Sequence, residues 1–196
     1  MGSRGQRKGV PQRTNSNIGR FMNDIDKHGF RANVGIILID NCDQVLLGGR
    51  IGTKGWQFPQ GGIHPRERIK DAMYRELKEE IGLEPRDINL VGVIQGWLRY
   101  RLPKRYVRRN EKPVCIGQKQ RWYLLRLLGK RELIRFDATN KPEFDRCRWV
   151  DYWAPVKEVI YFKRQVYMCA LKELAPLAFP KNGPPLLPDW WPETID

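Results

Sequence analysis

The chain of 196 residues is 41% hydrophobic and 30% charged, which supplies one core of ordinary size and argues against two independent domains. Its formal net charge is +14 at pH 7 and its pI is near 9.9, so we expect polyanionic partners such as RNA or nucleotide phosphates. No apolar run approaches the roughly 20 residues of a membrane span, and the four cysteines lack the C-x-x-C spacing of a zinc or redox site.

Residues 1–23 predict a disordered basic arm. Within 1–21 there are five basic residues and no acidic residue, and no apolar periodicity. A transit peptide and a true start at Met22 would each explain this composition. The widely spaced cysteines are expected to be reduced thiols, which favours a cytoplasmic location.

The first ordered elements are predicted as a hairpin followed by a helix. The aliphatic runs VGIILI and QVLLG flank the turn-forming segment DNCDQ, which is typical of a β-hairpin. Apolar residues then recur every four positions from Ile69 to Ile81 and predict an amphipathic helix over 67–81, stopped by Gly82.

The rest of the chain adds strands, one more helix and a tail. We predict strands at 88–97, 120–128 and 146–150, and a helix over roughly 163–175 that ends at Pro176. The proline-rich tail, 176–196, predicts an extended arm rather than a packed element. Strands mixed with two helices indicate an α+β or α/β sandwich.

The most informative stretch is GGIHPRERIKDAMYRELKEEIGL, which begins at Gly61. It fits the pattern G-x5-E-x7-R-E-U-x-E-E-x-G-U, whose seven fixed letters would match by chance about once in 10⁸–10⁹ starting points. This stretch resembles the Nudix box. The matching positions are Gly61, Glu67, Arg75, Glu76, Leu77, Glu79, Glu80, Gly82 and Leu83.

The residue types suit phosphate chemistry. Glu76, Glu79 and Glu80 stand at i, i+3 and i+4 of the predicted helix, so their carboxylates share one face and repel one another. A divalent cation relieves that repulsion, and hard oxygen ligands suit Mg²⁺, with Mn²⁺ or another dication as a substitute. Such a metal activates phosphoryl oxygens and an attacking water. The alternative is a solvated helical face.

The other residues of the motif are expected to be structural. Gly61 and Gly62 allow a tight loop in which backbone approaches the metal or phosphate. Glu67 is placed early in the helix and Arg75 late, as a charge pair or cap that fixes the loop against the helix.

Beyond the box, the chain resembles the bacterial RNA pyrophosphohydrolases, a Nudix subgroup also described as dinucleoside polyphosphate hydrolases. The resemblance covers roughly 24–175 and rests on GFRANVGI, WQFPQGGI, AMYRELKEEIGL, WLRYRLPKR, KPVCIGQKQRWYLL, PEFDRCRWV and YFKRQVY. It implies one Nudix domain over 24–175, folded as an α/β/α sandwich around a mixed sheet. It also implies a cytoplasmic role in trimming RNA 5′ ends, which promotes RNA decay. One departure is Ala32, where the family commonly has proline, and we expect it to loosen the backbone around Arg31.

The resemblance also implies site residues. It assigns Glu76, Glu79 and Glu80 as catalytic and metal-binding carboxylates, and Glu143 as a further metal ligand from a distant loop. The same resemblance implies that the 5′ phosphates and first bases are contacted by Arg31, Arg50, Tyr100, Phe162 and Lys163. Core packing is the alternative for Phe162, and a solvated surface role is the alternative for Arg31 and Lys163.

The segment LRYRLPKRYVRR, residues 98–109, forms a basic strip with two tyrosines. Cations neutralise phosphates without reading sequence, and aromatic rings stack on unpaired bases, so the basic strip suits a single-stranded RNA 5′ end. A solvated loop is the alternative. Its cations are Arg99, Arg101, Lys104, Arg105, Arg108 and Arg109, around Tyr100 and Tyr106.

Three functions follow from these patterns. The first is hydrolysis of 5′-tri- or diphosphorylated RNA to 5′-monophosphate RNA, and the second is asymmetric cleavage of diadenosine polyphosphates to give ATP. The third is a non-catalytic RNA-binding module, against which the intact box glutamates argue. We expect neither membrane association nor specificity for DNA.

Overall fold

The computed structural model describes residues 25–192, so the predicted basic arm at 1–23 lies outside the described residues. The central strand is β1 (Phe30–Ile39), which runs parallel to β7 (Gly117–Leu127) along its whole length. The other strands pair antiparallel with β1, β2 or β7. They are β2 (Val45–Arg50), β3 (Trp56–Gln57), β4 (Gln60–Gly62), β5 (Ile88–Val93), β6 (Leu98–Arg101) and β8 (Phe144–Val150).

Helices cover both faces of this mixed sheet. Side chains alternate between the two faces of a strand, and those of β1 are buried on both sides: Ile37 and Ile39 face one core cluster, while Ile36 and Leu38 face the other. Helix α1 (Ile69–Ile81) packs in the second cluster. Helices α2 (Pro155–Glu158) and α3 (Arg164–Ala178) pack in the first. The predicted α/β/α sandwich is confirmed.

The predicted hairpin and box helix are confirmed with one change of boundary. β1 and β2 are joined by a short turn, in which the Asp40 amide donates to the Gln44 carbonyl at 2.9 Å. Helix α1 begins at Ile69, so Glu67 precedes the helix and does not lie within its first turn. The physical reason is that the Glu67 carboxylate accepts the His64 amide at 2.8 Å and thereby closes the preceding loop.

Two other predicted elements differ from the structure. The strand expected at 88–97 ends at Val93 as β5, and the separate strand β6, which begins at Leu98, was not predicted. β5 and β6 pair with different halves of β7. Helix α3 continues through Pro176 to Ala178 instead of ending before the proline. Pro176 has no N–H to donate to the Lys172 carbonyl, and both residues lie on the exposed side of the helix.

The proline-rich tail packs on the domain, contrary to the expected free arm. Trp191 is 9% exposed and meets the Trp153 ring edge-to-face at 5.0 Å. The Trp153 indole N–H donates to the Pro185 carbonyl at 2.9 Å. Burial of the tail's tryptophan rings overrides the preference of its prolines for an extended, solvated chain.

Two expectations from composition can be compared with the structure. All four cysteines are free. In the part of the chain that the structure describes, no helix has the length and apolarity needed to cross a membrane.

Candidate active site

A cavity of about 870 Å³ opens beside the N-terminal half of β1 and the loop before α1. It brings together residues that are far apart in sequence and that include all five predicted substrate-binding side chains. Three of the four predicted metal-binding carboxylates also line it. These residues are Arg31, Arg50, Tyr100, Phe162 and Lys163, with Glu76, Glu79 and Glu143.

Strand pairing places two of these residues at one end of the sheet. Phe144, the first residue of β8, pairs with Arg50 at the end of β2, where the register shifts. The Ile51 amide donates to the Glu143 carbonyl at 3.0 Å. Glu143 is therefore held beside Arg50 at the cavity wall, although 93 positions of sequence separate them.

The two glycines before the helix leave room for charged side chains. A side chain at Gly61 would overlap the Glu76 carboxylate, and one at Gly62 would overlap the Arg31 guanidinium. At both positions the backbone and a charged side chain approach closely, as expected for a loop that borders a phosphate site, and an added Cβ would displace that side chain. Gly82 ends helix α1: its φ is 73°, and its N–H donates to the Lys78 carbonyl at 3.0 Å.

The pairing of Glu67 with Arg75 is present in the structure. Arg75 Nε donates to Glu67 Oε1 at 2.8 Å, and a terminal nitrogen of Arg75 donates to Glu67 Oε2 at 2.9 Å and to the Gly62 carbonyl at 2.7 Å. The guanidinium holds the pKa of the Glu67 carboxyl below its usual range. Arg75 on helix α1 is thereby joined to both Gly62 and Glu67 in the loop that precedes the helix.

Arg75 also contacts two of the three helix carboxylates. Its other terminal nitrogen donates to Glu76 at 2.7 Å and to Glu79 at 3.1 Å, whereas Glu80 Oε2 accepts the Gln60 amide at 2.7 Å. Within residues 25–192 there is accordingly no group of three or more His, Cys, Asp or Glu side chains arranged to hold a metal ion. The three helix carboxylates are thus held by two different partners, although Glu76 and Glu80 remain close enough to repel each other.

Burial makes two of these carboxylates costly to ionise. Burial raises the pKa of Glu76, whose exposed fraction is 8%. Burial, followed by repulsion from Glu143 and Glu76, raises the pKa of Glu80 well above its usual range. One oxygen of the Glu80 carboxylate is buried without a hydrogen-bond partner. A buried carboxylate oxygen without a partner is a hard donor, so the chemistry of Glu80 fits a divalent cation.

Lys163 is a buried cation close to the same carboxylates. It is 7% exposed, and its ammonium donates to the side-chain oxygens of Gln57 and Gln60, both at 3.2 Å. Burial, reinforced by repulsion from Arg50, lowers the pKa of Lys163 to about 8, although Glu80 and Glu143 act in the opposite direction. A buried ammonium that faces a cavity suits the binding of an anion.

Sequence reasoning missed three glutamines that organise the cavity. Gln57 and Gln60 hold Lys163, and Gln118 accepts the Tyr100 hydroxyl at 2.6 Å. Their signal was present in WQFPQGG and GQKQ, where glutamines interrupt otherwise strand-like segments. A buried amide in such a position requires a polar partner.

The comparisons with known proteins agree with this fold and box. The model of the NUDIX domain matches residues 29–169, and the chain belongs to the Nudix family. The solved structure of the E. coli dihydroneopterin triphosphate pyrophosphohydrolase is similar at a TM-score of 0.58 and 20% identity, over 72% of this chain and 95% of that chain. At this identity the likeness concerns the fold alone.

Within the Nudix family the chain falls in the RNA pyrophosphohydrolase subgroup. It is 55% identical to the RNA pyrophosphohydrolase of Alkalilimnicola ehrlichii over 160 residues, which are 82% of this chain and 88% of that protein. It is 59% identical to the RNA pyrophosphohydrolase of Pseudomonas putida over 152 residues, which are 78% of this chain and 96% of that protein.

Proposed function

We propose that this chain hydrolyses phosphoanhydride bonds at the 5′ end of tri- or diphosphorylated RNA, releasing pyrophosphate or phosphate and leaving a 5′-monophosphate. The observation that carries the proposal is the meeting of acidic and basic side chains in one cavity. Glu76, Glu79 and Glu143 line it together with Arg31, Arg50 and Lys163. The relatives of 55–59% identity that are named RNA pyrophosphohydrolase support the same substrate.

Nudix hydrolases generally use divalent cations, and we assign Mg²⁺, with Mn²⁺ as a substitute, to the carboxylate side of the cavity. Glu79, Glu80 and Glu143 would hold it, and Glu76 would act as a further ligand or as the general base. When bound, the cation polarises phosphoryl oxygens and lowers the pKa of a water molecule. It would compete with Arg75 for Glu76 and Glu79, since the guanidinium contacts both.

The basic side of the cavity would hold the polyphosphate. Lys163 projects a buried ammonium, and Arg31 and Arg50 add two guanidinium groups to the same lining. Hydrogen bonds from these cations to phosphate oxygens are charge-assisted, and they strengthen as negative charge develops during hydrolysis. Tyr100 and Phe162 would contact the first nucleotides, because their rings lie 5.8 Å apart beside Lys163.

RNA and diadenosine polyphosphates share this chemistry, so the choice between them rests on surfaces outside the cavity. The basic strip borders the cavity through Tyr100, Leu102 and Tyr106. A chain of many phosphates would use its cations, whereas a dinucleotide would use few. We therefore rank RNA first, and we place the reaction in the cytoplasm, where free cysteines stay reduced.

Glu80→Gln tests the assignment with little change of shape, because an amide oxygen can still accept the Gln60 N–H. We expect turnover of triphosphorylated RNA in Mg²⁺ to fall on the order of 100-fold or more. Glu173→Gln, on the exposed surface of α3, is the matched control and should keep wild-type turnover. Wild-type turnover by Glu80→Gln would refute the assignment.

The substrate class is tested by kcat/KM for triphosphorylated RNA and for diadenosine tetraphosphate at physiological salt. We expect RNA to be preferred. A large preference for the dinucleotide would reverse the ranking, and release of phosphate from neither would refute hydrolysis.

A further inference from the structure

Phe162 lies at the centre of a row of aromatic rings that runs from the buried part of the cavity to solvent. Its ring centroid is 5.8 Å from that of Tyr100, 5.4 Å from that of Tyr106 and 5.4 Å from that of Tyr161. Tyr100, the inner ring, is 6% exposed, whereas Tyr106 and Tyr161 are 43% and 51% exposed. The row therefore begins beside Lys163 and ends as two open ring surfaces.

The exposed end of the row carries positive charge. Lys104 and Arg105 belong to the same 3₁₀ turn as Tyr106, and the Arg105 guanidinium lies 5.0 Å from the Tyr106 ring centroid. Arg164 is exposed at the start of α3, next to Lys163. These three cations take part in none of the ion pairs formed among residues 25–192, so they are available to phosphates.

The size of the cavity limits how much of an RNA chain it can hold. At about 870 Å³ it matches a small-molecule site, and the polyphosphate already takes part of that space. The nucleotides that follow must leave across the rim, where Tyr106 and Ile160 are exposed apolar lining residues.

We propose that Tyr106 and Tyr161 form an outer platform on which the nucleobases of single-stranded RNA stack after they leave the cavity. The platform rests on the proposed function and extends it to nucleotides beyond the first ones. Every base has a flat π-face, so the platform would accept any sequence, while Lys104, Arg105 and Arg164 neutralise the intervening phosphates. An apolar protein partner fits less well, because three unpaired cations would have to be desolvated.

The test compares triphosphorylated, unstructured RNAs of two and five nucleotides. Stacking of one or more bases predicts that wild type has a KM for the longer RNA about 5- to 100-fold below that for the shorter one. Tyr161→Ala and Tyr106→Ala should each reduce this length advantage, and the double variant should abolish it. Tyr161→Phe and Tyr106→Phe keep the ring and should retain it. Leu128→Ala, at an exposed position on another surface, is the control for general effects of surface truncation.

A binding measurement separates the platform from hydrolysis. Fluorescence anisotropy measures the affinity for a labelled 5′-monophosphorylated RNA of five nucleotides in the absence of metal. The alanine variants should bind this RNA more weakly than wild type does. Equal affinities of wild type and the double variant would overturn the platform, as would a length advantage that survives both alanines. Absence of phosphate release by wild type would refute the proposed function, and the anisotropy result would still decide the platform.

Discussion

Lys163→Met probes the electrostatic cost of burying a cation on the basic side of the cavity. The pKa of Lys163 falls from 10.5 to about 8, and one pKa unit corresponds to about 1.4 kcal/mol. Keeping the ammonium charged in the folded state therefore costs on the order of 3 kcal/mol. Methionine retains most of the unbranched side chain and removes the charge, which relieves this cost. The variant also loses the hydrogen bonds from Lys163 to Gln57 and Gln60, and each loss costs roughly 1 kcal/mol. We expect a net stabilisation of about 1 kcal/mol at pH 7.

The sign of the pH dependence follows from the two pKa values. Below pH 8 the lysine is protonated in both folded and unfolded chains, so the difference in unfolding free energy between wild type and Lys163→Met is constant. Between pH 8 and 10.5 the unfolded chain binds a proton that the folded chain does not. Wild-type stability therefore rises relative to the variant by on the order of 3 kcal/mol across this interval.

The assay is urea denaturation of both proteins from pH 7 to 10.5 in EDTA, which excludes bound dications. Lys54→Met is the matched control, because Lys54 is exposed and its ammonium keeps its hydration on folding. A difference between wild type and Lys163→Met that stays flat with pH would refute the desolvation of Lys163. The same variant should bind triphosphorylated RNA about 10- to 100-fold more weakly, since it lacks a charge-assisted hydrogen bond.

Two further substitutions test the loop and the tail. Gly61→Ala should lower kcat on triphosphorylated RNA about 100-fold, because the new methyl group displaces the Glu76 carboxylate. Gly96→Ala is the control, because a side chain there meets open space, and it should leave kcat unchanged. Equal kcat values for the two variants would contradict the packing argument. Trp191→Ala should lower the unfolding free energy by about 2–3 kcal/mol and Tm by roughly 4–12 °C in calorimetry, because its ring packs on Trp153. Leu186→Ala, 93% exposed, should stay within about 0.5 kcal/mol, and an unchanged Tm for Trp191→Ala would mean that the tail contributes nothing to stability.

Local patterns predicted the parts of the fold that depend on local physics. The apolar period from Ile69 to Ile81 gave α1 to within two residues at its start, because one buried face repeats every turn. The aliphatic run in β1 predicted a strand, and the structure buries that strand on both faces. β6 gave no such signal, because Arg99 and Arg101 are exposed and its pairing with β7 decides its conformation.

The site was predictable in its residue types but not in its pairing. The spacing of Glu76, Glu79 and Glu80 places them on neighbouring turns, yet it does not reveal that Arg75 contacts two of them while Gln60 contacts the third. Such contacts depend on how the loop before α1 folds back over the helix. The packing of Trp191 against Trp153 is likewise a long-range contact that overrides the composition of the tail.

The cavity explains why acidic and basic groups are buried side by side without direct pairing. Glu80 keeps a buried oxygen without a partner, while Lys163 donates to two neutral amides instead of a carboxylate. Each arrangement costs stability, and direct pairing of the two charges would relieve both costs. In the proposed function, a complex of polyphosphate with a dication would relieve them together, because the metal would satisfy the carboxylates and the phosphates would satisfy Lys163. We therefore expect the proposed substrate and metal to stabilise the folded protein when they bind.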